Sequence, residues 1–207
     1  TAIMAAIGNA AHTGILVSQG DAFERLAKVK RLAFDKTGTL THGKPTVAEV
    51  LSFNGAYSTN ELVRITATAE LRSEHPLGRA LVNYAGATLK LNLDEPEVFE
   101  MQAGRGVCAK VGNVTVLAGT LALLNDNGIT ITAEAAAQSE ELKNKGFTII
   151  YIAFNHALTG LIAFSDVLRE NAAHIVAAIH NNGLKTTLIT GDTKAAADYM
   201  AQSAGIN

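Results

Sequence analysis

The sequence has one cysteine, Cys108, among 207 residues. That excludes an internal disulfide and any metal site built from several thiolates, and it suits a reducing compartment. Cys108 itself reads as a small hydrophobe packed in a core. An excess of one charge is also missing, since 17 Lys and Arg stand against 19 Asp and Glu for a formal charge of −2. The basic residues are scattered, so there is no electrostatic footprint for nucleic acid or for an anionic membrane. No apolar run approaches the ~20 residues that span a bilayer, and no basic, apolar and small-residue succession marks a secretory signal. His12, His42, His156, His174 and His180 have no cysteine or carboxylate at metal-ligand spacing and read as solvated or structural. The cluster of Glu140, Glu141, Lys143 and Lys145 reads as an exposed helix face.

Apolar residues, by contrast, make up 48% of the chain and charged residues only 17%, enough for a packed core with no sign of disorder. The length suits two modest domains. Residues 31–35 (RLAFD) and 186–190 (TTLIT) read as short buried strands, each followed by glycine within a few positions. Between about 166 and 183, Ala172, Ile175, Val176 and Ile179 fall at helical spacing and Gly183 supplies a stop, which predicts a crossover helix between parallel strands. A further helix is expected after Asp192. The middle has a different texture. Ser58 to Glu61 is a capping box opening a helix with Leu62, Val63, Thr66 and Ala69 on one face, and Pro76 suits the first turn of another. Short β-type segments follow at 97–101, 106–111 and 114–118, with Gly112-Asn113 as a hairpin turn, then a helix over 132–146 and the strongly β run FTIIYIAF at 147–154. The reading is an α+β unit inserted between the two strands of an α/β unit.

Asp35 ends the first strand. Ligands of open α/β sheets sit at the carboxyl ends of strands, and although a strand-end Asp is often only a turn residue, this one is followed by Thr37, Gly38 and Thr39. Their amides and hydroxyls can hold phosphoryl oxygens, and the glycine permits close backbone approach. A carboxylate among such donors, with a divalent cation, can attack a phosphoryl group and form an acyl phosphate. Thr190, Gly191 and Asp192 bring a hydroxyl and an amide from the end of the second strand.

The run DKTGTLT at 35–41 and TGD at 190–192 resemble motifs of the P-type ATPases, which are built on the haloacid-dehalogenase fold. SEHPLG at 73–78 and GRG at 104–106 resemble the nucleotide domain of the heavy-metal-transporting branch, most of all its copper exporters. The resemblance implies a haloacid-dehalogenase-like Rossmann-type phosphorylation domain, truncated at its C-terminal end, with an inserted α+β nucleotide-binding domain. The expected division is 1–14 as the cytosolic end of a transmembrane helix, 15–45 and 159–207 as the two parts of the phosphorylation domain, and 46–158 as the nucleotide-binding domain. The chain would then be a soluble cytoplasmic loop at the cytosolic face of a membrane. Its partners would be ATP or ADP with Mg²⁺ and the transmembrane and actuator domains of the same pump. The transported metal would bind elsewhere.

The roles that follow from the resemblance are equally specific. Asp35 is the expected nucleophile for the γ-phosphate, with Lys36, Thr37, Thr190, Gly191 and Asp192 around it and with Asp35 and the Thr37 carbonyl on Mg²⁺. His75 is expected to orient the adenine, Glu70 to accept from its amino group, and Gly104 and Gly106 to let the nucleotide approach. Gly119 and Thr120 align with the family's GN pair, Thr120 having a hydroxyl but no amide. Asp166 and Arg169 resemble the family's DPxR hinge with Val167 in place of proline, and they too are counted among the nucleotide-site candidates. The chain stops before the family's lysine and GDGxND segment, from which impaired autophosphorylation is expected. A free-standing phosphatase of the same fold and a non-catalytic nucleotide-binding module are the alternatives; the long insert with SEHP argues against the first.

Overall fold

Two sheets organise the chain. The computed structural model describes residues 2–53 and 55–206, with Thr1, Asn54 and Asn207 outside them. The smaller sheet pairs β1 (Arg31–Asp35) in parallel with β8 (Lys185–Ile189), placing Asp35 opposite Ile189. The larger sheet has six strands in the order β2 (Thr41–Ser52), β7 (Ala157–Leu168), β6 (Thr148–Phe154), β5 (Val114–Gly119), β4 (Gly106–Val111) and β3 (Val98–Gln102), every pair antiparallel.

The continuous apolar run of β6 follows from its two covered faces. Side chains alternate across a sheet. Ile150, Ile152 and Phe154 join one core with Leu62, Val63 and Ile65 of α3 (Thr59–Ala69) and Leu81 of α4 (Pro76–Asn83). Tyr151 and Ala153 point the other way, into a core with Leu124 of α5 (Leu121–Asp126) and Ala135 of α6 (Ala133–Asn144). In β7, Ile162 and Phe164 take the first face, and Leu161 and Ala163 meet Leu142 of α6 on the second. Helix α3 starts where the sequence predicts, since the Ser58 hydroxyl accepts from the Glu61 N–H and the Glu61 carboxylate accepts from the Ser58 N–H.

A smaller core holds the β1/β8 pair. Leu40, Ala172 and Val176 of α7 (Ala172–Asn181), and Ala204 of α8 (Lys194–Ala204) are buried there beside Phe34 and Leu188. The crossover helix therefore begins at Ala172, not near residue 166, because 166–168 are still paired in β7. Ile175, placed on its apolar face by spacing, is 43% exposed. Helix α1 (Ala2–His12) buries no residue, and α2 (Ala22–Leu26) is a single short turn. Among the described residues no helix is long and apolar enough to cross a membrane.

Strands β2 and β7 and helix α5 are absent from the reading by pattern. Pro45, a residue that cannot donate to a ladder, falls where the β2 register breaks between Thr41 and Pro45. Gly160 of β7 permits the tightest approach in this region: a Cβ there would stand 2.4 Å from the Leu51 carbonyl oxygen and 2.4 Å from Leu62 Cδ1. Gly160→Ala should cost about 1–3 kcal/mol, the usual scale of overpacking a core. Gly86, with no atom within 4 Å of the added carbon, should accept Ala within about 1 kcal/mol of the parent. Urea unfolding of the two variants checks the contrast, and equal midpoints would contradict it.

Candidate functional site

Asp35 lies at the mouth of the parallel pair, exposed, its side chain unpartnered among the described residues. The next residues form a tight loop, Lys36–Leu40, which turns at Gly38 with φ 78°, a conformation that favours glycine. Lys36 Nζ reaches across to Asp192 Oδ2 and joins the two strand ends. On the far side the Asp192 N–H donates to Thr190 Oγ1 at 3.2 Å. Asp35, Lys36, Thr37, Thr190, Gly191 and Asp192 are thereby gathered at the same end of β1 and β8.

Three groups hold this loop from beneath. Thr41, fully buried, accepts from the Gly38 N–H at 3.2 Å and donates to Asp166 Oδ2. Arg169 donates through Nε to the Thr39 carbonyl at 2.9 Å and through Nη2 to the Gly38 carbonyl at 3.0 Å. Asp166 and Arg169, at the end of β7, thus fasten the loop after Asp35 and do not join the other nucleotide-site candidates.

Those others do converge. Glu70, His75, Gly104, Gly106, Gly119 and Thr120 all line one cleft of about 290 Å³. Glu70 caps α3, is 4% exposed, and has an Oε2 with no hydrogen-bond partner among the described residues. Burial pushes its carboxyl above the usual 4.5, opposed in part by the Ser73 hydroxyl. His75 caps α4, its Nδ1 accepting from the Leu77 N–H at 3.2 Å, so in the neutral ring the proton sits on Nε2. Thr120 has a second task as cap of α5, its hydroxyl accepting from the Leu123 N–H at 3.4 Å.

The glycines have structural reasons of their own. Gly106 and Gly119 face each other across β4 and β5. A Cβ on Gly106 would lie 2.2 Å from the Ala118 carbonyl oxygen, and one on Gly119 would lie 2.2 Å from the Arg105 carbonyl oxygen. Gly78 is a third such position, since its Cβ would stand 2.5 Å from Glu70 Oε2 and 2.8 Å from Ser73 Oγ. Sequence reasoning gave no role to Ser73, Gly78 or Thr41. A glycine two residues into a helix, after Pro76, was the available signal for close packing. Thr41 closes the run DKTGTLT, but no local signal marked its bond to Asp166, 125 positions away. Among the described residues no group of three or more His, Cys, Asp or Glu could hold a metal ion.

A family model described as haloacid dehalogenase-like hydrolase matches residues 29–207. The copper-exporting P-type ATPase of Staphylococcus aureus (strain JH9) is 34% identical over all 207 residues, and the chain spans a quarter of that relative's length. Among solved structures, a zinc-transporting PIB-type ATPase in an E2.Pi state aligns with a TM-score of 0.85 at 33% identity, over 99% of this chain and 33% of the other. The catalytic domain of the CPx-ATPase CopB-B, at 21% identity, shares the fold with a TM-score of 0.71 over 97% of this chain and 68% of the other.

The buried carboxyl of Glu70 makes stability depend on pH. Its folded value is raised, so its stabilising contribution is fully present below the unfolded value and is lost as pH rises through the folded one. Glu70→Gln cannot ionise. Its stability relative to the parent should increase as pH rises from about 4.5 and then level off. Urea unfolding of both proteins across that range provides the check, and a pH-independent difference would contradict the assignment.

Proposed function

The chain belongs to the haloacid dehalogenase-like hydrolase family, and we propose that it is the ATP-binding and phosphorylation loop of a heavy-metal-transporting P-type ATPase, on the cytosolic face of a membrane. Residues 46–158 then bind the nucleotide, residues 15–45 and 159–207 accept the phosphoryl group, and the transmembrane and actuator domains of the same pump are the partners. Copper is the proposed cargo, after the Staphylococcus relative. Zinc is the second reading, favoured by the TM-score of 0.85 to a zinc transporter. The observation that carries the nucleotide assignment is the buried, unpartnered Oε2 of Glu70 inside a cleft that also holds His75.

An adenine base suits that cleft because its exocyclic amine offers the donor that Glu70 Oε2 lacks. The His75 ring, steadied by the Leu77 N–H, packs beside the base, and the hairpin at Gly104 and Gly106 bounds it from the other wall. In phosphoryl transfer, an Asp35 carboxylate oxygen forms a bond to the γ-phosphorus as the bond to the leaving ADP oxygen breaks. The amides of the loop after Asp35, the Thr190 hydroxyl and the Gly191 amide hold the phosphoryl oxygens. Lys36 counters the charge while tethered to Asp192. Asp35 and the Thr37 carbonyl are hard oxygen donors of the kind Mg²⁺ takes, one or two from the protein and the rest from phosphates and water. When bound, that ion neutralises charge between carboxylate and phosphate.

Titrating ATP into the chain by calorimetry tests the base site. A dissociation constant in the range of about 1 μM to 1 mM is expected, weakened in Glu70→Ala and in His75→Ala; unaltered binding in both would contradict the adenine assignment. For Asp35, γ-labelled ATP should give a hydroxylamine-sensitive label on a pump carrying this sequence and none on its Asp35→Asn variant. Retention of the label in that variant would place the nucleophile elsewhere.

A further inference from the structure

Apart from His75, the cleft has two charged side chains, Glu70 and Arg105. Glu70 is 4% exposed, whereas the Arg105 side chain is 47% exposed, so the acid marks the closed end and the base the mouth. We propose that Arg105 is a specificity-determining residue for the phosphate end of the ligand, and that Asp126 competes with those phosphates for it. The proposal rests on the nucleotide reading above and adds a recognition residue and a competitor to it.

The backbone of Arg105 is fixed. Its N–H donates to the Gln102 carbonyl at 2.9 Å, and its carbonyl accepts from the Thr120 N–H at 2.7 Å. The bare Cα of Gly119 makes room for that carbonyl. Only the side chain is left to move, and its Nη1 is paired with Asp126 Oδ2.

Asp126 is the last residue of α5, where the unpaired carbonyls of a helix disfavour a carboxylate. Its side chain is 56% exposed, and an exposed single ion pair is weakly held. A polyphosphate presents several negative charges and the paired oxygens that a guanidinium grips with two parallel hydrogen bonds. It should therefore draw Arg105 away from Asp126. A neutral nucleoside in the same cleft has no negative charge with which to compete against Asp126 and leaves the pair closed. Arg105 thus separates nucleotides from nucleosides, while Asp126 weakens binding of the charged ligands only.

Calorimetric titration of the full 207-residue chain with ATP and with adenosine tests this. Arg105→Gln should weaken ATP roughly fivefold, the loss of one exposed charge-assisted contact, and change adenosine by less than about twofold. Asp126→Asn should tighten ATP about two- to threefold without affecting adenosine, and this gain should vanish in the Arg105→Gln background. Arg105→Lys should restore part of the ATP preference. Equal weakening of ATP and adenosine in Arg105→Gln would show that Arg105 only shapes the hairpin, and would overturn the proposal. So would an unchanged ATP affinity in Arg105→Gln, or an Asp126→Asn gain that persists without Arg105. Failure of the parent to bind either ligand would overturn the nucleotide reading and the proposal with it, whereas binding of both with no effect of the variants would overturn the proposal alone.

Discussion

From Thr41 opposite Leu168 to Ser52 opposite Gly160, β2 and β7 stay paired across two interruptions of register, and this ribbon connects the chemistry at one end of the molecule to the cleft at the other. Its outer end holds the loop after Asp35 through Thr41, which accepts from the Gly38 N–H and is itself bonded to Asp166, and through Arg169 in two more hydrogen bonds. Its inner end enters the six-stranded sheet, where β7 pairs with β6, and Thr148, Ile149 and Ile150 of β6 line the cleft. The ribbon narrows where Gly160 sits, because any side chain there would meet Leu51 and Leu62. A displaced ribbon would therefore shift both the loop and the wall of the cleft.

Within the cleft the controlling term is desolvation. A carboxylate oxygen without a partner in a buried position is costly, and Glu70 is held in that state by Gly78, whose missing side chain leaves the space that Glu70 and Ser73 occupy. The rest of the wall is mostly apolar or glycine, with Arg105 at the mouth. Such a site favours a ligand with a hydrogen-bond donor at one end, a flat apolar body and negative charge at the other, which is the polarity of an adenine nucleotide. The groups near Asp35 have the opposite character. Asp35, Thr37, Gly191 and Asp192 are exposed, Lys36 is tied to Asp192, and amides and hydroxyls suited to phosphoryl oxygens surround them.

Much of this was legible in the chain itself wherever a local signal existed. The Ser58 capping box, Pro76 at a helix start, and the runs RLAFD and FTIIYIAF each state their structure within a few residues. Of the eight nucleotide-site candidates that the motif resemblance selected, the fold brings Glu70, His75, Gly104, Gly106, Gly119 and Thr120 to one cleft, while Asp166 and Arg169 lie at the loop after Asp35. Strands β2 and β7 were not legible. In β2, Gly43 and Pro45 interrupt the alternation, and its first residues pair with positions more than 120 residues away. The same long-range pairing explains why 166–168 were placed at the start of the helical stretch and not in a strand. The structural duties of Gly106 and Gly119 were hidden for a related reason, because the clash each avoids is with the backbone of the facing strand.

The central claim is that the cleft around Glu70 receives the base of a nucleotide. A structure of the chain with a non-hydrolysable ATP analogue tests it most directly. The account predicts the exocyclic amine of adenine within hydrogen-bonding distance of Glu70 Oε2, with the base beside His75. A nucleotide bound outside this cleft, or one inside it that leaves the Glu70 carboxyl unpartnered, would contradict it.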